Sequence, residues 1–200
     1  VNEQDRQPGL FYFHPWEVDP GQPRVQDAPP RSRFRHYLNL DRMHDRGIIA
    51  DGDRANTAVC LGPDGAVLGT HRKVHLPAGE VAWYRAGEGF GAIATPVGRV
   101  GLMVDYDKTF PESARCLALD GAEILVCPSA WPASRTNRAA SPARDRQRRL
   151  FDLYDRARAA ENQLWLVSAN QTGRHGSMRF LGQSKVVRPD GEIVAAAGAR

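Results

Sequence analysis

Apolar residues come in short bursts along this chain, and their spacing predicts an alternation of strands and helices. The clearest unit runs from Arg99 to Gly121. Arg99-Val-Gly-Leu-Met-Val104 is a brief apolar run of the kind that fills a buried strand. A polar knot, Asp105-Tyr106-Asp107-Lys108-Thr109, follows it. Pro111 and Glu112 suit a first helical turn, where a missing N–H costs nothing and a carboxylate complements the dipole. Ala114, Leu117 and Ala118 then form an apolar stripe at helical spacing, and Gly121 is a natural stop. Strand, tight turn and helix in succession lift the residue at the strand end toward a helix N-terminus. That is a common place for a nucleophile or a bound anion. The residue there is Asp105.

The same signals recur on either side. Arg144 to Glu161 reads as a helix, with Leu150, Leu153, Tyr154, Ala157 and Ala160 at three- and four-residue steps and Asn162 ending it. Asp152 and Arg156 stand at i,i+4 on a polar face. Thr57–Leu61 and Ala66–Thr70 are β-type runs joined by Gly62-Pro-Asp-Gly65, a hairpin signal. Ala92–Gly98 predicts an edge strand and turn, Glu123–Cys127 a buried strand and Leu164–Ser168 another. Residues 180–184, 186–187 and 193–194, around Pro189-Asp-Gly191, predict a final hairpin. The whole reads as an α/β chain.

Residues 1–43 differ in texture. Pro8, Pro15, Pro20, Pro23, Pro29 and Pro30 exclude a long helix or a central strand. Leu10-Phe-Tyr-Phe13 suits a short strand ending at His14, within what is otherwise an irregular arm that docks its aromatics on a neighbouring surface. The polar, Gly-containing stretch 44–55 marks a junction, which divides the chain into segments 1–46 and 47–200.

Composition narrows the function classes. Hydrophobic content of 42% and charged content of 25% are ordinary for a soluble globular chain. The net charge of +4 comes from 27 basic and 23 acidic residues, with much of the excess in Arg135–Arg158. A charge run of that kind reads as a solvated helix face, so no nucleic-acid partner is expected. No apolar run approaches the roughly 18 residues of a membrane span, and residues 1–8 are polar, so neither a membrane partner nor a leader is expected. Cys60, Cys116 and Cys127 are an odd number at spacings unlike metal sites. They read as buried thiols of a reducing cytoplasm, with no metal and no cofactor implied. Only three of the basic residues are lysines, namely Lys73, Lys108 and Lys185. A chain that almost always writes Arg has used a compact ammonium at Lys73, which gives that residue weak support as a functional one.

One resemblance is specific. GLMVDYDKTFPESARCLALDGAEILVCPSAWP resembles the nucleophile region of the nitrilase superfamily, the carbon–nitrogen hydrolases. The resemblance implies a four-layer α-β-β-α sandwich that usually dimerises and acts on a small amide or nitrile. It implies that Asp105 stands where the family has its catalytic cysteine and that the Tyr106 N–H is an oxyanion donor. The wording HRKVHLP is similar to the family's lysine segment, which makes Lys73 the catalytic lysine; without the motif, Lys73 would read as a surface lysine at a strand end. Glu80, or else Glu88, matches a second glutamate that orients lysine and substrate. Ser129 and Trp131, in the loop after the 123–127 strand, and Asn170, in Ala-Asn-x-x-Gly wording, match pocket-lining positions. Trp131 reads equally well as core packing. Separately, GLFYFHPWEVDPGQPR and RSRFRHYLNLDRM resemble the C-terminal segment of polysaccharide deacetylases found with exopolysaccharide clusters. There His14 would match a catalytic histidine, without the metal-binding motifs that it would need.

The family's chemistry needs a thiolate, a glutamate base and a lysine. Residues 1–55 carry no motif matching the portion that supplies the base, and Glu17 is a poor substitute. The sequence therefore reads as an N-terminally truncated nitrilase-like α/β domain with a disabled site. The alternatives are a non-catalytic binding or assembly module, a fusion or truncation product, and an engineered nucleophile variant.

Overall fold

The computed structural model describes residues 9–12, 49–50, 53–137 and 139–197. The strands are β1 (Gly9–Tyr12), β2 (Ile49–Ala50), β3 (Asp53–Arg54), β4 (Thr57–Leu61), β5 (Val67–Arg72), β6 (Ala92–Thr95) and β7 (Gly98–Leu102). After helix α1 (Pro111–Leu119) come β8 (Ile124–Ser129), helix α2 (Arg146–Asn162), β9 (Trp165–Asn170), β10 (Thr172–His175), β11 (Met178–Leu181), β12 (Lys185–Val187) and β13 (Ile193–Ala196).

Six strands make one mixed sheet in the order β13-β12-β9-β8-β7-β6. Its centre is parallel, β7 to β8 to β9, because α1 and α2 supply the crossovers that parallel neighbours require. The flanking pairs are antiparallel. The run around Arg99 is thus β7, second from an edge. β4 lies at the centre of a smaller three-stranded sheet, β1-β4-β5.

Alternation within the strands decides what each face meets. Leu125, Cys127, Leu166 and Val187 point to one side and pack with Met103, Ala114, Leu117 and Ala159 beneath the two helices. Val100, Leu102 and Val104 point the other way and pack on Ala58 and Cys60 of the smaller sheet, with Leu68, Ile93 and Val126 at the margin. This gives helices, large sheet and small sheet, three of the four layers that the resemblance implies. The cover of the small sheet stops at β8. On the next strand Trp165 is 43% and Val167 36% exposed, while Leu166 between them is fully buried.

Several boundaries differ from the sequence reading. Asp145 accepts the N–H of Gln147 at 2.8 Å and so caps α2, which starts at Arg146. α2 does end at Asn162, as expected, and Gln163, at a φ of 55°, is its left-handed cap. Phe180 belongs to a β10–β11 hairpin that the periodicity did not reveal, separate from the β12–β13 hairpin. At the other end, the short strand expected over Leu10–Phe13 spans Gly9–Tyr12 and pairs with β4, Gly9 opposite Leu61 and Tyr12 opposite Ala58. No proline falls between Pro8 and Pro15. Four residues therefore keep their N–H groups, enough for an edge strand. Residues 13–48, with His14, Glu17 and the rest of the expected arm, lie outside the described residues.

The uneven cover predicts uneven sensitivity. Leu125→Ala should cost about 2–5 kcal/mol, since it empties a fully buried position between sheet and helices. Val167→Thr, on the bare half of the face, should stay within about 0.5 kcal/mol. Urea denaturation followed by circular dichroism measures both; similar losses at the two positions would contradict the layer assignment.

Candidate functional site

Beyond β5 the chain leaves the small sheet at Lys73, whose backbone is pinned on both sides. Its N–H donates to Asn56 O at 2.7 Å, and its carbonyl accepts from Gly87 N at 2.9 Å. The side chain is fully buried. Its ammonium donates to Asp105 Oδ2 at 2.9 Å. Both oxygens of Glu80 also lie 2.9 Å away, Oε1 in hydrogen-bonding geometry. An isolated buried ammonium would be prohibitively costly; two carboxylates make this one tolerable. Burial, the largest influence, pulls the lysine's pKa down. The charges of Asp105 and Glu80 and their hydrogen bonds outweigh it and hold Lys73 above its ordinary value. Lys73 therefore stays an ammonium. Glu80 is shifted upward, chiefly by burial and further by the charge of Asp105, against the pull of Lys73 and a hydrogen bond from Asn56.

Asp105 opens a 3₁₀ turn, Asp105–Thr109, that links β7 to α1. Its φ is 49°, in the left-handed region that Asp tolerates better than most residues with a Cβ. Its second oxygen, Oδ1, is buried and accepts no hydrogen bond. Among the described residues, no hydrogen bond uses the N–H of Tyr106.

Asp107 anchors that turn to β5. Oδ1 accepts from the backbone N–H groups of Val74 at 3.1 Å and His75 at 2.9 Å, and from His75 Nδ1 at 3.1 Å. Oδ2 accepts from His71 Nε2 at 3.0 Å and from the N–H of Val104 at 2.9 Å. Burial alone would raise this carboxyl's pKa. The bonds from His71, His75 and Val104 reverse the effect and hold it below the ordinary carboxylate value. The ring of His75 is stacked 4.0 Å from that of Phe110, which closes the cluster.

The structure therefore brings Lys73, Glu80, Asp105 and Tyr106 into one place. Glu80, not Glu88, meets the lysine. Trp131 is buried, 6.4 Å from the Tyr106 ring, with Nε1 donating to Gln147 at 3.0 Å. Ser129 and Asn170 end the neighbouring strands β8 and β9 in register. Asn170 has its amide engaged internally: Oδ1 accepts from Trp131 N at 2.7 Å and Nδ2 donates to Gly182 O at 2.7 Å. Ser129 Oγ lies 3.7 Å from Cys127 Sγ, whose burial pushes its pKa up to about 12. That thiol is no substitute nucleophile. Asp107, His71 and His75 were not singled out from sequence; a carboxylate two residues past Asp105 and histidines flanking Lys73 were the only signal. Among the described residues, no cluster of three or more His, Cys, Asp or Glu side chains is arranged to hold a metal, and no helix is long and apolar enough to cross a membrane.

Residues 35–200 match the family described as carbon-nitrogen hydrolase, and residues 1–48 match a domain of unknown function, DUF3473. Deaminated glutathione amidase of Homo sapiens is 37% identical over 172 residues, covering 80% of this chain and 49% of that protein. A carbon-nitrogen hydrolase of Helicobacter pylori G27 superposes with a TM-score of 0.70 at 36% identity, covering 75% of this chain and 55% of the other. An amidase of Nesterenkonia sp. AN1 superposes with a TM-score of 0.61 at 31% identity, covering 74% and 52%. In that structure the acetamide moiety of fluoroacetamide is added covalently at the active-site cysteine, and an alanine variant of the same amidase is in complex with butyramide. The chain spans about half the length of the curated relatives it matches.

The Asp107 contacts make a pH prediction. Its folded pKa lies below the unfolded value of about 3.9. The stability it contributes is complete above that value and is lost as pH falls through the lower folded pKa. Asp107→Asn should remove on the order of 3 kcal/mol near neutral pH and leave a shallower loss of stability on acidification. Urea unfolding at a series of pH values checks both; an unchanged acid limb would show that another carboxylate dominates it.

Proposed function

The chain belongs to the carbon–nitrogen hydrolase family, and on that premise we propose that its site keeps the family's architecture without its turnover. One observation carries this reading: Asp105 meets the Lys73 ammonium at 2.9 Å, at the position where the resemblance implies the cysteine nucleophile. A thiolate that attacks an amide yields a thioester, a modest climb. A carboxylate would have to expel an amine and form a mixed anhydride, which is richer in energy than the amide. Loss of the nucleophile from an integrated site typically costs on the order of 10⁶ in rate. Lys73 is engaged as well. Two of its three N–H groups face Asp105 and Glu80, and only the third remains to meet an oxyanion.

A second reading, a non-catalytic binding module for a small amide, is favoured by the orphaned Asp105 Oδ1. A primary amide placed there would donate its NH₂ to that oxygen and offer its carbonyl to Lys73 and the Tyr106 N–H. Butyramide titration by calorimetry separates the two readings: binding by the unaltered chain that Asp105→Ala abolishes supports the module.

Turnover is tested by ammonia release from butyramide over many protein equivalents. The unaltered chain should release none. Asp105→Cys should be alkylated by iodoacetamide, since a thiol near Lys73 and a helix N-terminus ionises readily. It should still fail to turn over repeatedly, for want of a base to activate water. Repeated turnover by the variant would identify Glu80 as that base. Repeated turnover by the unaltered chain, lost in Asp105→Ala, would overturn the reading.

A further inference from the structure

We propose that Lys108 is a positioning residue for the Asp105–Lys73 site, which it holds through a buried chain of alternating charges. The proposal rests on the site assignment above. Lys108 lies in the same 3₁₀ turn as Asp105 and is fully buried. Its ammonium donates to Asp155 Oδ1 on α2 at 2.7 Å and to Ser168 Oγ on β9 at 3.3 Å. The other oxygen of Asp155 accepts from Lys185 at 3.2 Å, and Lys185 donates to Asp152 at 2.5 Å. Only Asp152, 34% exposed, reaches solvent. The Phe151 ring lies 3.2 Å from the Lys108 ammonium and 4.1 Å from that of Lys185. Each buried charge thus has a partner of opposite sign, the condition under which such a chain is stable.

The backbone of the turn is held from the same helix. Arg158, three residues beyond Asp155 and so on the same face of α2, donates from Nε to Lys108 O at 2.9 Å and from Nη2 to Thr109 O at 3.0 Å. Asp107 ties the turn to β5, and Lys108 ties it to α2. Between these two anchors Asp105 is kept at positive φ. A side chain with a Cβ stays in that region only while its surroundings over-determine it. Loss of the Lys108 anchor lets Asp105 relax toward negative φ, which swings its side chain away from Lys73. Lys185 shares Asp155 and Phe151 but is not part of the turn. Its loss weakens the core without moving residue 105.

The test uses the full chain carrying Asp105→Cys and Cys116→Ser, the latter to remove the exposed thiol. Iodoacetamide labelling of residue 105 is followed against pH by peptide mass spectrometry. The midpoint should lie below the free-thiol value of about 8.5. Adding Lys108→Met should raise it by about one pH unit, roughly a tenfold slower reaction on the acid side. Adding Lys185→Met should lower the thermal midpoint of unfolding by at least as much as Lys108→Met does and leave the labelling profile in place. Should Lys108→Met fail to fold, Ser168→Ala removes the weaker contact and should shift the profile in the same direction by a smaller amount. An unmoved profile in the Lys108 or Ser168 variant, or an equal shift in Lys185→Met, overturns the proposal. An ordinary thiol midpoint in the starting protein, before any change at 108, overturns the site assignment itself and the positioning role with it.

Discussion

One buried carboxylate holds this site in shape. Asp107 accepts five hydrogen bonds, three from the segment that follows Lys73, one from His71 and one from the residue before Asp105. Those donors come from two sheets that share no ladder hydrogen bond. Without Asp107, the Lys73–Asp105 pair and apolar packing among residues such as Ala58, Cys60, Leu102 and Val104 would be left to set how the sheets lie on each other. Such packing is not directional and tolerates sliding. A charge with five directed donors does not. The 2.9 Å meeting of Lys73 and Asp105 lies beside that cross-link, with the Lys73 backbone pinned as well to Asn56 and Gly87.

The ion pair carries a further consequence for chemistry. A thiol in place of Asp105 would leave Lys73 balanced by Glu80 alone, one charge against one. The second carboxylate makes the knot net negative, and the upward shift of Glu80 is in part a response to it. An excess negative charge repels the oxyanion that acyl transfer must build. With Asp105 at the nucleophile position, as proposed, that charge would oppose the transition state electrostatically while it stabilises the resting site.

Much of this was legible in the sequence because the key elements are local. The strand–turn–helix around Asp105 could be read from apolar spacing, Pro111 and Gly121, and the scarcity of lysine gave weak support to Lys73; that Lys108 and Lys185 are buried and ion-paired too emerges only from the structure. What could not be read depends on non-local pairing. Four of the five donors to Asp107 lie 32 to 36 residues away, on β5 or just past it, and the partners of Lys108 lie 47 and 60 residues away. No periodicity reports such a contact. The short strand near Leu10–Phe13 could be read, but its place against β4 could not, because that too is a non-local pairing, Gly9 with Leu61 and Tyr12 with Ala58.

The chain covers about half the length of its curated relatives, yet every described contact that shapes the site falls between Asn56 and Lys185. The β5 exit, the 3₁₀ turn, α1, α2 and the ends of β8, β9 and β12 provide all of them. The bare portion of the large sheet, around Trp165 and Val167, is on the face opposite Leu166, away from the helices and from the charge chain beneath them. Cover or exposure there bears on solubility and stability. It bears little on residue 105, which is held by two anchors that the strands beyond β8 reach through Ser168 and Lys185, buried side chains on their protected face. Fixing the position of residue 105 and setting what it can react with thus depend on different contacts.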